Sequence, residues 1–505
     1  MFNDMQNIEK KCPVVTMDDG CQILDGLDIV GRSPNIVYIF GLLSAVAVSG
    51  VSYLFNKGDT EPSAFLPMVF SIFFIAIIFL VRKFASAKPF NYLSPEVFFI
   101  AVYGVFHFSY IIFYAIKMVP SDPEVFWGPT HVLRAVFYCI CCLCAFLLSY
   151  EISGGRPNLS QYSILESPSP IIILIAKILI VICIIFFWGV IFSAGFFQIL
   201  SDYQALTRIG TTTAFGRLFF VSQNIALIAI AMYSAASGLI YQKFMAGKVF
   251  PFIALGFIIG ILILGDRGGF IFFVPIPMLA FHCFQRKIKI WWLILFALLL
   301  LFTSTFIGLT RDVVGGNVGK MKEEYEYKAQ SQVYNPITRS LLEFGASIKT
   351  VVIAMELIPS QHPYWYGTEY LQSLPGVIPN FIPGWVRTAQ GIDVWITETA
   401  FGNLQFTHGR GGSIAMEAYT QFGFLGGVIF FVFLGFFYRR IYERFLNKPN
   451  FARTVMFFVF VCTLVFWIRN TIFVATRTIV WMLLVLWILQ LFKKQPIDNQ
   501  YELHQ

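Results

Sequence analysis

Apolar runs about as long as a bilayer is thick recur through this chain, and few folds can carry them. Apolar residues make up 57% of the sequence, charged residues 13%, and phenylalanine alone occurs 57 times. A water-soluble domain would expose too much of this surface. Hydrocarbon can solvate it if every backbone polar group is satisfied within the segment, which calls for helices. Counting runs of roughly twenty residues as spans predicts an all-α polytopic membrane protein with about 12 transmembrane helices. They lie near 35–55, 64–81, 96–116, 130–150, 170–194, 217–240, 249–265, 268–284, 290–309, 413–437, 451–468 and 472–492. The seventh and eighth are short, with only Gly265-Asp266-Arg267-Gly268 between them.

Basic residues set the expected orientation. With the N-terminus inside, the inside loops and the C-terminal end hold sixteen Lys and Arg, and the short outside segments hold six. The net charge of +8 therefore reads as a topology signal, and no nucleic-acid partner is expected. The expected organisation is a cytosolic tail over 1–34 without a cleavable signal, helices 1–9 over 35–309, a large external loop over 310–412, helices 10–12 over 413–492, and a cytosolic tail over 493–505. None of the nine cysteines falls in an outside loop, so no disulfide framework holds the loop. Cys139, Cys141, Cys142 and Cys144 lie in the fourth span and read as small buried apolar residues.

The stretch Arg311–Gly412 is the main departure from this pattern: about a hundred polar, Pro- and Gly-rich residues holding thirteen aromatics. Residues 338–358 predict one amphipathic helix, with Leu341, Leu342, Ile348, Val352 and Met355 on its apolar face. Pro359, Pro375-Gly376 and Pro379 to Pro383-Gly384 then mark turns. Tyr364, Trp365, Tyr366, Tyr370 and Trp385 supply flat faces suited to sugar rings, or to anchoring at the membrane interface.

Charged residues near membrane depth tend to mark function. The outward helix ends carry arginines and almost no lysine. Arg208, Arg267, Arg311, Arg410, Arg469 and Arg477 are candidates for phosphate or pyrophosphate binding, since guanidinium matches phosphate oxygens multidentately; taken singly, each also fits a snorkelling anchor. Arg217 starts the sixth span, and Arg339 pairs by spacing with Glu343. In Gly265-Asp266-Arg267-Gly268-Gly269 the glycines permit close backbone approach, and the following helix start offers N–H groups to an anion. His408-Gly409-Arg410-Gly411-Gly412-Ser413 precedes Glu417, one turn further on. His408 or a partly buried Glu417 can serve as general base; the plain alternatives are an interfacial histidine and a helix-start carboxylate. Asp59-Thr60-Glu61 reads as a solvated turn, His107 and His282 as structural, and no metal or cofactor is expected.

Several segments together resemble the Wzy-type O-antigen polymerases: Gly265-Asp266-Arg267-Gly268 with its flanking spans, Gln285-Arg286-Lys287, and Thr310-Arg311-Asp312. Tyr366-Gly367-Thr368-Glu369-Tyr370 and the run Gly412 to Gly426 (GSIAMEAYTQFGFLG) complete the likeness, which covers roughly 195–490. Related O-antigen ligases look similar around Arg267 and place a histidine near the end of their long loop, where His408 stands. The resemblance implies a GT-C-like fold in the bacterial inner membrane, both termini cytoplasmic and the large loop periplasmic. It implies metal-independent polymerisation of undecaprenyl-pyrophosphate-linked oligosaccharide, with Arg267, His408 and Glu417 catalytic and a chain-length regulator of the polysaccharide co-polymerase type as partner. A flippase of lipid-linked oligosaccharide and an O-antigen ligase are the competing expectations.

Overall fold

The computed structural model describes residues 35–84, 93–122, 125–126, 128–154, 168–193, 214–247, 250–263, 269, 272–299, 336–345, 347–378, 391–402, 412–447 and 449–493. Among these residues there are helices and turns and no strand. In chain order the first nine helices are α1 Ile36–Phe55, α2 Pro62–Phe84, α3 Pro95–Ala115, α4 Pro129–Ile152, α5 Pro170–Ser193, α6 Ala214–Tyr241, α7 Phe250–Ile263, α8 Pro275–Phe284 and α9 Ile290–Leu299. Four shorter ones follow: α10 Pro336–Gly345, α11 Ile348–Leu357, α12 Thr368–Ser373 and α13 Ile392–Phe401. The last three are α14 Ile414–Asn447, α15 Phe451–Trp467 and α16 Ile472–Lys493. Seven helices, α1 to α6 and α14, are long and apolar enough to cross a membrane. Shorter apolar helices occupy the other five predicted spans.

Proline at the first turn starts α2, α3, α4, α5 and α8, where its missing N–H costs nothing. Asn35 and Asn450 cap α1 and α15 by accepting from Tyr38 N and Arg453 N. α4 is the central post, with 83% of its apolar window buried against 28% for α5. All four of its cysteines are buried among apolar neighbours. α14 packs along it at close range. A side chain at Gly427 would overlap the Tyr138 hydroxyl, and one at Gly435 would overlap Ser149 Oγ and the Phe146 carbonyl.

Among the described residues, the Arg and Lys ion pairs gather at one end of the bundle. Arg82 at the close of α2 grips both oxygens of Glu151 at the close of α4, each at 2.6 Å, and Asn35 N donates to the same carboxylate. Lys83 pairs with Glu96 at the start of α3. Arg439, late in α14, lies over the Tyr150 ring. At the opposite end Tyr114 donates to the Thr60 carbonyl at 2.5 Å, and His131 at the start of α4 faces Glu356 of α11 at 3.4 Å. Asp59 and Glu61 are exposed there, with Asp59 Oδ1 accepting from Glu61 N in a local turn.

The loop elements sit on that opposite end. The single helix expected over 338–358 is two, α10 and α11. The break follows Gly345, where a Cβ would overlap Ser109 Oγ and Tyr110 N of α3. Ser109 also donates to the Leu341 carbonyl at 2.6 Å, so α10 rides directly on α3. α11 is not amphipathic in place: Ile348, Val351, Val352, Ile353, Ala354, Met355 and Leu357 are all buried. The Arg339 and Glu343 side chains and Arg217's lie outside the described residues. His107 is buried, with Nδ1 against the Tyr103 carbonyl, and His282 Nδ1 accepts from Ile288 N.

Candidate functional site

Where the chain returns from the loop, Ser413 caps α14. Its hydroxyl accepts from Met416 N at 3.0 Å and lies 3.4 Å from Thr350 Oγ1 of α11. Ile414 N donates to the Ile468 carbonyl, and Gly412 rests on Asn470 and Thr471, so the start of α14 is pressed against the α15–α16 turn. Glu417, expected to be partly buried, has no exposed surface at all. Its Oε2 accepts from the Trp467 indole and its Oε1 from Ile472 N at 3.1 Å. One carboxylate thus bridges both sides of residues 468–471, satisfied by two N–H donors as a buried acceptor must be.

That turn carries one of the candidate arginines and leads to a second. Arg469 lies 5.4 Å from the Phe106 ring centre and 5.5 Å from that of Phe344, cationic head over aromatic faces. Arg477, two turns on, donates from Nε to the Gly376 carbonyl at 2.8 Å and stands over the Trp481 ring. Trp481 in turn donates to the Val377 carbonyl at 3.0 Å. Glu417 thus braces the turn that carries Arg469 and leads into α16, on which Arg477 stands. Arg208, Arg267, Arg311, His408, Arg410 and Trp385 lie outside the described residues.

α14 does not run straight from this start. Gly423 has φ +71° and ψ −168°, a conformation foreign to a helix and open to glycine. Such a break strips helical partners from the carbonyls one turn upstream. Thr420 and Gln421 offer theirs to the loop: Trp365 N donates to the first at 3.1 Å and Tyr366 N to the second at 2.9 Å. Gln421, fully buried, extends the seam. Its Oε1 accepts from Gly367 N at 2.8 Å and its Nε2 donates to Glu369 Oε2 at 3.0 Å. Glu369 Oε1 accepts from Ile392 N at the start of α13 at 3.0 Å. Tyr364 covers the missing side chain of Gly423, its ring 3.1 Å from where a Cβ would be.

The aromatic candidates divide. Tyr366 is 74% exposed. Trp365 is half-buried, stacked on His362 at 3.9 Å with Trp395 edge-on at 4.9 Å. Tyr370 does not present its edge to a ligand. Its ring stacks on Phe430 at 5.8 Å and its hydroxyl is buried without a partner among the described residues. Burial, and then the carboxylates of Glu417 and Glu369, push this phenol well above its usual range, so it stays neutral.

The seam joins residues 365–369 to Thr420 and Gln421, more than fifty positions further along the chain. A profile described as O-antigen polysaccharide polymerase Wzy matches residues 36–496, nearly the whole chain. The chain belongs to this polymerase family. No curated protein and no solved structure matches it. Glu369, Gln421 and Gly423, which the sequence offered only as members of family-like segments, build the seam, and Trp467, which the sequence did not single out, braces Glu417. The available signal was a buried-looking glutamine and carboxylate inside otherwise apolar or turn segments, which membrane energetics flags for scrutiny.

Proposed function

We propose that the protein polymerises undecaprenyl-pyrophosphate-linked oligosaccharide repeat units at the periplasmic face of the bacterial inner membrane. Family membership over nearly the full length carries this reading. The position of the loop helices, at the end opposite Arg82, Lys83 and Arg439, supports the orientation with cytoplasmic termini, since basic ends stay inside. Twelve spans and a GT-C-like plan are part of the same proposal.

A hydroxyl of the acceptor repeat unit attacks the anomeric carbon of the donor glycan. The bond from that carbon to the pyrophosphate oxygen breaks, and its electron pair leaves with the lipid diphosphate. The acceptor proton passes to a base, the role proposed for His408. Arg267, with Arg208, Arg311, Arg410, Arg469 and Arg477, takes up the charge developing on the leaving group, a task guanidinium performs without a metal. Glu417, with both oxygens held by Trp467 and Ile472, is assigned to positioning the arginine-bearing turn.

The deciding experiment supplies the purified protein with lipid-linked repeat units alone, in the presence of a metal chelator. A ladder of glycans is expected. A flippase gives no ladder, and neither does a ligase, which with lipid A core added transfers the unit to the core without lengthening it. Arg267→Ala is expected to abolish the ladder while inserting normally; long chains from that variant would remove Arg267 from the chemistry.

A further inference from the structure

Three consecutive backbone N–H groups, from Trp365 to Gly367, are held by Thr420 and Gln421. The segment so fixed is strained. Tyr366 sits at φ +48° and Gly367 at +86°, so a bulky residue occupies left-handed space that it ordinarily avoids. The outcome of this arrangement is that the Tyr366 ring projects into solvent while its backbone is immobilised. Strain kept in place by surrounding bonds around an exposed side chain points to use of that side chain.

Beside the ring lies an open groove of about 450 Å³ formed by residues 359–364 and Tyr366, within the ~300–1,000 Å³ typical of small-molecule sites. None of these residues is charged. Gln361 supplies an amide and the exposed Tyr366 a hydroxyl. His362 Nδ1 lies 2.6 Å from the Pro363 carbonyl; a carbonyl can only accept, so Nδ1 carries a proton. The imidazole is kept flat by Trp365 behind it, itself backed by Trp395. A diphosphate finds no lysine or arginine here, and an acyl chain would strand the polar edges. A flat aromatic face beside neutral donors and acceptors matches an uncharged pyranose, with its C–H face on the ring and its hydroxyls at the rim.

We infer that this groove is a subsite for a neutral sugar of the repeat unit, separate from Arg469 of the turn at 468–471 and from Arg477 of α16. The inference rests on the polymerase reading for its substrate and adds where the glycan is gripped. Binding the sugar there equally in the ground and transition states lowers KM and leaves kcat unchanged.

The test uses full-length wild type, Tyr366→Ala and Tyr366→Phe in detergent. Each is titrated with the lipid-free repeat-unit oligosaccharide, followed by tryptophan fluorescence, and each is assayed for polymerisation of the lipid-linked unit. Tyr366→Ala is expected to weaken oligosaccharide binding and raise KM about tenfold with kcat nearly unchanged, and Tyr366→Phe to stay within about threefold of wild type. Wild-type oligosaccharide binding and KM in Tyr366→Ala would overturn the subsite while leaving a working polymerase. Lost oligosaccharide binding in Tyr366→Ala, with no ladder even from wild type, would overturn the polymerase reading and leave a sugar site. Unchanged sugar binding with loss of a co-purifying protein from Tyr366→Ala would reassign the surface to that partner and overturn the subsite.

Discussion

Tyr370 has a buried hydroxyl with no partner among the described residues, within the electrostatic reach of the buried Glu417 and Glu369. A buried unsatisfied hydroxyl costs ~1–3 kcal/mol. Tyr370→Phe keeps the ring on Phe430 and removes that cost, so its melting temperature in detergent should equal or exceed that of wild type. A fall of several degrees would reveal a partner for the hydroxyl. Trp467→Phe is the reverse case. It keeps an aromatic against Phe430 and leaves Glu417 Oε2 without its donor. It should destabilise by ~1–3 kcal/mol and weaken polymerisation; wild-type melting and activity would show that the brace is dispensable. Glu417 itself was legible in the sequence, as a carboxylate at the mouth of a span. Its burial was not, because Trp467 and Ile472 stand fifty residues and more downstream, and nothing local to Glu417 announces them.

Helices were the most readable level, since apolar length and first-turn prolines are local properties. The breaks within them were not. Gly423 looks like any of the glycines in α14 until the carbonyls of Thr420 and Gln421 are seen bonded to another segment. Gly345 splits the expected 338–358 helix only because α3 lies against it. The glycines along the α4 contact permit a sharp comparison. A Cβ at Gly435 collides with Ser149 and the Phe146 carbonyl, whereas one at Gly104 of α3 meets open space. Gly435→Ala should lose ~1–3 kcal/mol by overpacking, read as a lowered melting temperature, and Gly104→Ala should lose none. Equal melting temperatures for the two would mean that α4 and α14 are not in such close contact.

For the molecule as a whole, charge and loop placement divide the bundle into two unlike ends. Arg82, Lys83, Glu96, Glu151 and Arg439 mark one; α11, His131 and the start of α14 mark the other. The count of basic residues already pointed to this polarity. The sequence did not reveal that much of the loop packs as part of the bundle, because Ile348–Leu357 buries itself through contacts that periodicity alone leaves unassigned. If the orientation proposed here holds, Tyr366→Cys in spheroplasts should react with a membrane-impermeant maleimide. Arg440→Cys should react only after permeabilisation. The opposite pattern would put the loop in the cytoplasm and remove the periplasmic reaction with it.

The seam at Gly423 also limits how this protein can move. The carbonyls that hold Trp365 and Tyr366 are ones that an uninterrupted α14 would need for itself. Releasing the loop and straightening the helix are therefore the same motion, a latch whose shut position is written as a missing turn of hydrogen bonds.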